Sequence, residues 1–193
     1  MYALPAAPPP APRRQLVVGV SLACAAGATL MGGMLALFLR FRQATLAVPD
    51  SEWKPAASKV PEVATNIMLI SFAVIFVMVQ WSVYAARRGH KSYVALSLGL
   101  TALISLAIIN GQAFTYTQMR LPIRTGTYET MFYALTGTFL ALMVIGMIFT
   151  LVVAFRHLGG RDGDREIVTA HAIFWYFMGA VYTALWFVIY VTK

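Results

Sequence analysis

Long apolar segments alternate with short polar ones along almost the whole chain, and five of the apolar segments are long enough to cross a bilayer. A hydrocarbon core of ~30 Å requires about 20 residues of helix, since every backbone polar group must be paired inside the segment. No formal charge lies in the middle of any of the five. The pattern therefore predicts an all-α membrane protein, a bundle of five transmembrane helices. The predicted spans run from Gln15 to Leu39, Val63 to Ala86, Tyr93 to Phe114, Thr130 to Phe155 and Thr169 to Val191.

Composition excludes an ordinary soluble domain. The chain is 60% apolar and 11% charged, whereas soluble domains carry roughly 25% charged residues. The formal charge of +8 does not indicate nucleic acid, because the basic residues stand at the ends of apolar segments. Anionic lipid headgroups are the expected partner, with Arg87, Arg88 and Lys91 as candidate contacts. The single cysteine, Cys24, excludes an intrachain disulfide.

The first 14 residues are rich in alanine and proline and predict a disordered tail before one membrane domain, residues 15–193. Arg13 and Arg14 resemble a twin-arginine signal only superficially, because the apolar segment after them is too long and lacks a small-residue cleavage site. Eight basic residues fall on one predicted side of the membrane and seven on the other. This excess favours a cytoplasmic amino terminus and an outside carboxyl terminus.

Few residues could carry chemistry within the spans. Glu129, at the start of the fourth span, is interpreted as a helix-capping carboxylate. His90, His157 and His171 fall near span ends, where we expect solvated or interfacial side chains. These placements predict no catalytic residue, no metal ligand and no cofactor-binding residue in the chain.

Polar amides and small residues predict helix packing instead. Asn110 and Gln112 stand near the end of the third span, where amides commonly bond a neighbouring helix. Small residues spaced along the first span predict close approach of another helix. The helix-packing candidates are Gly19, Ala23, Gly27, Gly32 and Gly33.

One short motif per span gives the chain a family resemblance. The first span ends Gly32-Gly33-Met34-Leu35-Ala36-Leu37-Phe38-Leu39-Arg40; the second opens Asn66-Ile67-Met68-Leu69-Ile70-Ser71; the third holds Gly111-Gln112-Ala113-Phe114-Thr115-Tyr116; the fourth opens Tyr128-Glu129-Thr130-Met131-Phe132-Tyr133-Ala134-Leu135-Thr136-Gly137; the fifth holds Phe174-Trp175-Tyr176-Phe177. In this order the motifs resemble those of subunit III of haem–copper respiratory oxidases, in its short five-helix bacterial form. Thr136, Gly137 and Trp175 are the family-motif residues.

Several polar positions of that family are occupied by other residue types here. Gly27 stands where members carry a membrane-embedded glutamate, and Thr115 replaces the glutamate of the third-span motif. The two histidines after the Thr-Gly pair fall at Phe139 and Leu142. The histidine and aspartate of the last motif fall at Tyr176 and Gly179.

The resemblance implies a non-catalytic subunit that stabilises the catalytic subunit in electron transport from cytochrome c to oxygen. It implies no haem or copper in this chain, haem and copper in subunits I and II, bound phospholipid, and a place in the bacterial cytoplasmic membrane. Two alternatives remain at this point: a subunit III-like component of nitric oxide reductase or another respiratory complex, and a small transporter or channel. A haem protein acting alone is disfavoured by the placement of the histidines.

Overall fold

Five long helices account for nearly all of the residues described by the structure, a computed structural model that covers residues 14–55, 58–122, 126–160 and 165–192. Each helix is long and apolar enough to cross a membrane, and the described ranges contain no strand. The predicted all-α membrane fold is confirmed. The predicted amino-terminal tail lies outside the described residues except for Arg14. The helices are α1 (Gln15–Leu46), α2 (Glu62–Arg88), α3 (Lys91–Met119), α4 (Thr127–Leu158) and α5 (Arg165–Leu185), which continues as a π-helical turn, Trp186–Val191.

The helices extend beyond the apolar segments that predict them. α1 continues to Leu46 through Arg40 and Arg42, and α5 begins at Arg165 instead of Thr169. Hydropathy marks only the residues suited to hydrocarbon, whereas helical hydrogen bonding continues into the headgroup region. The predicted spans therefore lie inside the observed helices.

Hydrogen bonds between helices establish the topology. The carboxylate of Glu166 accepts from the Leu16 backbone N–H at 2.7 Å, and Arg42 Nη2 donates to the Thr192 carbonyl at 2.7 Å. Both ends of α1 thus lie beside the corresponding ends of α5, so these two helices run parallel. The Tyr182 hydroxyl donates to the Thr65 carbonyl at 2.9 Å, which sets α2 antiparallel to α5.

α5 occupies the middle of the bundle, where it contacts α1, α2 and α4. Trp175 and Tyr182 on α5 are almost completely buried. Tyr182 stacks on Phe72 of α2 and contacts Phe139 of α4, with ring centroids 5.2 Å apart in each pair. α1 is peripheral, because only Cys24, Met31 and Phe38 along its length are buried.

The turn between α2 and α3 needs a glycine. Gly89 ends α2 with φ of +74°, a left-handed conformation that costs a residue with a Cβ about 1–2 kcal/mol. The lipid-headgroup candidates Arg87, Arg88 and Lys91 flank this turn and are exposed. The Arg88 guanidinium also lies 4.3 Å from the centre of the Tyr84 ring. Their contact with lipid stays a prediction.

Candidate functional site: polar groups inside the bundle

A buried histidine joins α4 to α5. His171 is fully buried, and its Nε2 lies 2.8 Å from Thr150 Oγ1 and 2.9 Å from Trp175 Nε1. Trp175 Nε1 is 3.0 Å from Thr150 Oγ1, and the threonine hydroxyl donates to the Gly146 carbonyl at 2.9 Å. We call His171, Thr150 and Trp175 the histidine triangle.

The indole N–H of Trp175 sets the role of His171 Nε2. Trp175 Nε1 donates to His171 Nε2 at 2.9 Å, so this nitrogen is an acceptor, and the proton of a neutral imidazole belongs on Nδ1. Nδ1 has no hydrogen-bond partner among the described residues.

The expectation of solvated or interfacial histidines is wrong for His171. Since α5 starts at Arg165, His171 stands in its second turn, ~9 Å along the helix, and faces α4. His157 is largely buried and His90 is exposed. The spacing of His171 and Trp175, one helical turn apart, could have indicated a shared face, but a sequence does not show that Thr150 lies opposite.

Glu129 stands in the first turn of α4, as the capping interpretation requires. It is only 7% exposed, and its carboxyl group folds back onto Gly126, so closely that a Cβ on this glycine would lie 2.5 Å from Oε2. The carboxyl group lines a cavity of about 240 Å³ that Glu52, Trp53 and Tyr128 also border. A side chain at Gly126 would therefore displace the Glu129 carboxyl group from this position.

The two amides predicted to bond neighbouring helices lie in different surroundings. Gln112 is buried, whereas Asn110 is exposed and has no hydrogen-bond partner within the described ranges. Beside Gln112, the Tyr116 hydroxyl donates to Thr136 Oγ1 at 2.9 Å, and Thr136 donates to the Phe132 carbonyl at 2.6 Å. The motif residue Thr136 therefore links α3 to α4, while the role predicted for Asn110 stays a prediction.

The small residues of α1 fall into two groups. Gly27 is half-buried, and a Cβ there would lie 2.8 Å from the Phe177 ring of α5. Gly19, Ala23, Gly32 and Gly33 are exposed. A Cβ on any of these three glycines would meet no atom of the described chain within 4 Å. Gly27 thus packs inside this chain, and a contact of the other four with another chain stays a prediction.

Residues at the substituted family positions fill space in the bundle. Phe139 contacts the rings of Phe72 and Tyr182, and the Thr115 hydroxyl donates to the Gly111 carbonyl of its own helix at 2.9 Å. A Cβ on Gly179 would lie 2.1 Å from the Phe76 ring of α2. Aromatic rings and backbone contacts therefore occupy the positions where the family resemblance leads us to expect titratable groups.

The other two motif residues lie in different surroundings. Trp175 is a member of the histidine triangle, whereas Gly137 is half-buried next to Thr136 and a Cβ there would meet no described atom within 4 Å. Among the residues that the structure describes, no group of three or more His, Cys, Asp or Glu side chains is placed to hold a metal ion.

Fold and interior together define a multi-pass helical membrane protein whose buried polar groups bond helix to helix. A family model described as cytochrome c oxidase subunit III matches residues 23–193. The chain belongs to the cytochrome c oxidase subunit III family.

Curated relatives agree with this assignment at low identity. A probable cytochrome c oxidase subunit 3 of Rickettsia felis is 25% identical over 93% of this chain and 69% of its own length. The cytochrome c oxidase subunit 3 of Synechocystis is 25% identical over 89% of this chain and 73% of its own. A probable cytochrome c oxidase subunit 3 of Rickettsia bellii is 28% identical over 75% of this chain, which spans only 54% of that relative. These matches do not favour the nitric oxide reductase or transporter alternatives.

Proposed function

We propose that the chain is a non-catalytic subunit III of a haem–copper terminal oxidase, which supports a catalytic subunit that transfers electrons from cytochrome c to oxygen. The observation that carries the proposal is the family match over residues 23–193. The five-helix domain begins at Gln15, so the match covers all of this domain except its first eight residues. In this proposal the haem and copper belong to subunits I and II, phospholipid is bound at the lipid-facing surface, and the assembly lies in the bacterial cytoplasmic membrane with the amino terminus inside.

The chemistry of the interior supports a scaffold. In the histidine triangle and in the Tyr116–Thr136 pair, side-chain polar atoms form hydrogen bonds to other helices of the same chain. Proton relays across membranes use acids, bases or histidines at membrane depth. The acids expected from the family are replaced here by Gly27, Thr115 and Gly179. In this proposal the chain therefore supports its partner by packing against it and does not relay protons. A subunit that packs against a catalytic subunit can slow its inactivation during turnover without taking part in the reaction.

Removal of the subunit tests the proposal. In membranes from a strain that lacks this chain, initial oxygen consumption per oxidase haem should remain largely intact. Inactivation during turnover should be faster and the complex yield lower, because a supporting contact is lost. The measurement is oxygen uptake and haem spectra of the complex purified in mild detergent, with and without the chain.

A variant of Glu129, the one buried acid among the described residues, sharpens this test. Glu129→Gln retains the shape of the side chain and removes its charge, so the assembled complex should keep its initial rate. Immediate loss of activity in Glu129→Gln, with the complex assembled at normal yield, would contradict a packing role. Failure of the chain to copurify with any haem-containing subunit would contradict the proposed assembly itself.

The exposed small residues of α1 provide a second test, which concerns where the partner binds. Gly32→Leu places a large side chain where this chain leaves open space, so it should disrupt a neighbouring subunit's approach while the isolated chain stays folded. The measurement is the fraction of chain retained on the purified complex, together with thermal unfolding of the chain alone.

Gly27→Leu is the matched control, because it meets the Phe177 ring within the same chain. It should lower the unfolding temperature of the isolated chain, which Gly32→Leu should not do. Full retention of Gly32→Leu on the complex would mean that this face of α1 contacts lipid.

A further inference from the structure

One side of α5 is left uncovered, although this helix lies in the middle of the bundle. Tyr176, Ala180, Thr183 and Ala184 of α5 are all exposed. Their spacing of three or four residues places them on one face of the helix. The central helix of the bundle therefore keeps one face open to a neighbour outside the described chain.

This open face lies between α1 and α2. On α5, a Cβ at Gly179 would meet the Phe76 ring of α2, while the Phe177 ring lies against Gly27 of α1. At about 100° per residue, Gly179 and Phe177 are separated by about 160° around the helix, and Ala180 lies within that arc. α1 and α2 pack against α5 far more than against each other. The open face is thus the floor of a groove with α1 and α2 as its walls, which we call the α5 groove.

Two hydrogen bonds of the same kind join the floor of the groove to its α2 wall. The Tyr176 hydroxyl donates to Gln80 Oε1 at 2.8 Å, and Trp186 Nε1 donates to Asn66 Oδ1 at 2.8 Å. Both amides are exposed. Each bond uses the amide oxygen, so each amide keeps two N–H donors, which have no acceptor among the described residues.

The depth of the two amides in the membrane differs. α2 has 27 residues and is ~40 Å long, so a centred helix extends about 5 Å beyond each side of a hydrocarbon core of ~30 Å. Gln80 precedes Arg88, the last residue of α2, by eight residues (88 minus 80), or ~12 Å, which places its amide about 7 Å inside the hydrocarbon. Asn66 follows the start of α2 by four residues (66 minus 62) and lies at the hydrocarbon boundary. The N–H groups of Gln80 therefore need an acceptor that lipid chains do not offer.

We propose that a transmembrane helix of a neighbouring subunit lies in the α5 groove and presents a hydrogen-bond acceptor to the Gln80 amide. This inference rests on the proposed function, because it assumes an oxidase complex. The small side chains of Ala180, Thr183 and Ala184 allow another helix to approach closely. An acyl chain could fill the same groove, but it would leave the Gln80 donors unpaired.

A larger side chain on the floor tests whether a helix lies there. Ala180→Leu should remove most of the chain from the complex purified in mild detergent, because it occupies the space of the partner helix. Ala141→Leu is the matched control, since Ala141 is exposed on α4, which packs on the other side of α5. Both variants should leave thermal unfolding of the isolated chain unchanged. Full retention of Ala180→Leu, or equal loss of both variants, would overturn the proposal.

Two variants of the polar pair test the role of the amide. Gln80→Leu should weaken binding of the chain to the complex by about 3- to 30-fold, the range that one interhelical hydrogen bond represents. Tyr176→Phe removes the bond within the chain but keeps the amide donors, so its effect should be clearly smaller. The measurement is dissociation of the chain from the complex during detergent titration. Equal effects of the two variants would show that the amide serves this chain alone and would contradict the proposal.

Photo-cross-linking identifies the occupant directly. A photoreactive residue at Thr183 should form a covalent product with a transmembrane peptide of another subunit, identified by mass spectrometry, whereas the same residue at Ala141 should label lipid. A product at Thr183 with lipid alone, or with a second copy of this chain, would refute the inference. Copurification of haem with the chain, measured in the same preparation, tests the proposed function separately, so failure of the groove inference alone can be recognised.

Discussion

Gly179→Ala should destabilise the bundle by about 1–3 kcal/mol, the usual cost of forcing extra volume into a packed interior. The added Cβ would lie 2.1 Å from one atom of the Phe76 ring and 2.5 Å from a second, so the ring or the helix must move. Phe76 already contacts Tyr176, with ring centroids 5.3 Å apart, which limits where the ring can go. The measurement is thermal unfolding of the purified chain in detergent, with complex yield as a second readout.

Gly99→Ala is the matched control. It makes the same substitution in the interior of α3, but a Cβ there meets no described atom within 4 Å. Since alanine favours a helix over glycine by about 1 kcal/mol, Gly99→Ala should be neutral or stabilising. The comparison separates the clash from the change in helix propensity.

The double variant Phe76→Ala/Gly179→Ala identifies the contact responsible. Removal of the ring should relieve the clash, so the two substitutions together should cost clearly less than the sum of their separate effects. Additive effects would show that Gly179 is required for another reason, such as approach of the α2 backbone.

The pair of Gly179 and Phe76 also shows what sequence reasoning could predict and what it could not. Hydropathy located all five helices, because the bilayer imposes the same requirement on each span. The family resemblance indicated Gly179 as a position where an acid would be expected, but it did not identify the ring that fills the space. Phe76 lies on α2, 103 residues earlier (179 minus 76), and only the antiparallel packing of α2 on α5 places the two together.

The histidines illustrate the same limit. Span boundaries taken from hydropathy put His171 near the membrane surface, since the polar residues before Thr169 do not resemble a membrane helix. The helix nevertheless begins at Arg165, where Glu166 bonds the start of α1. Four further residues of helix, together with the position of Thr150 on α4, turn an expected surface histidine into a buried link between helices.

His171→Ala should therefore be among the most damaging single changes in the chain, with an expected loss of about 2–4 kcal/mol of stability. Two effects combine: a cavity in a site with no solvent exposure, and loss of the contact between His171 and Thr150, an interhelical hydrogen bond of the kind worth about 0.6–2 kcal/mol in membrane proteins. Thermal unfolding in detergent and complex yield measure the loss. His90→Ala, at an exposed position beside Gly89, should change stability by no more than about 0.5 kcal/mol.

The haem spectrum decides between a structural link and a ligand. Trp175 Nε1 and Thr150 Oγ1 already contact His171 Nε2, so this nitrogen is not free to bind iron or copper. Any His171→Ala complex that still assembles should keep the spectrum of the unmodified complex, even though it unfolds at lower temperature. Loss of a haem band at unchanged thermal stability would reverse the interpretation. Loss of a haem ligand need not weaken the contact between α4 and α5, whereas loss of the histidine triangle must weaken it.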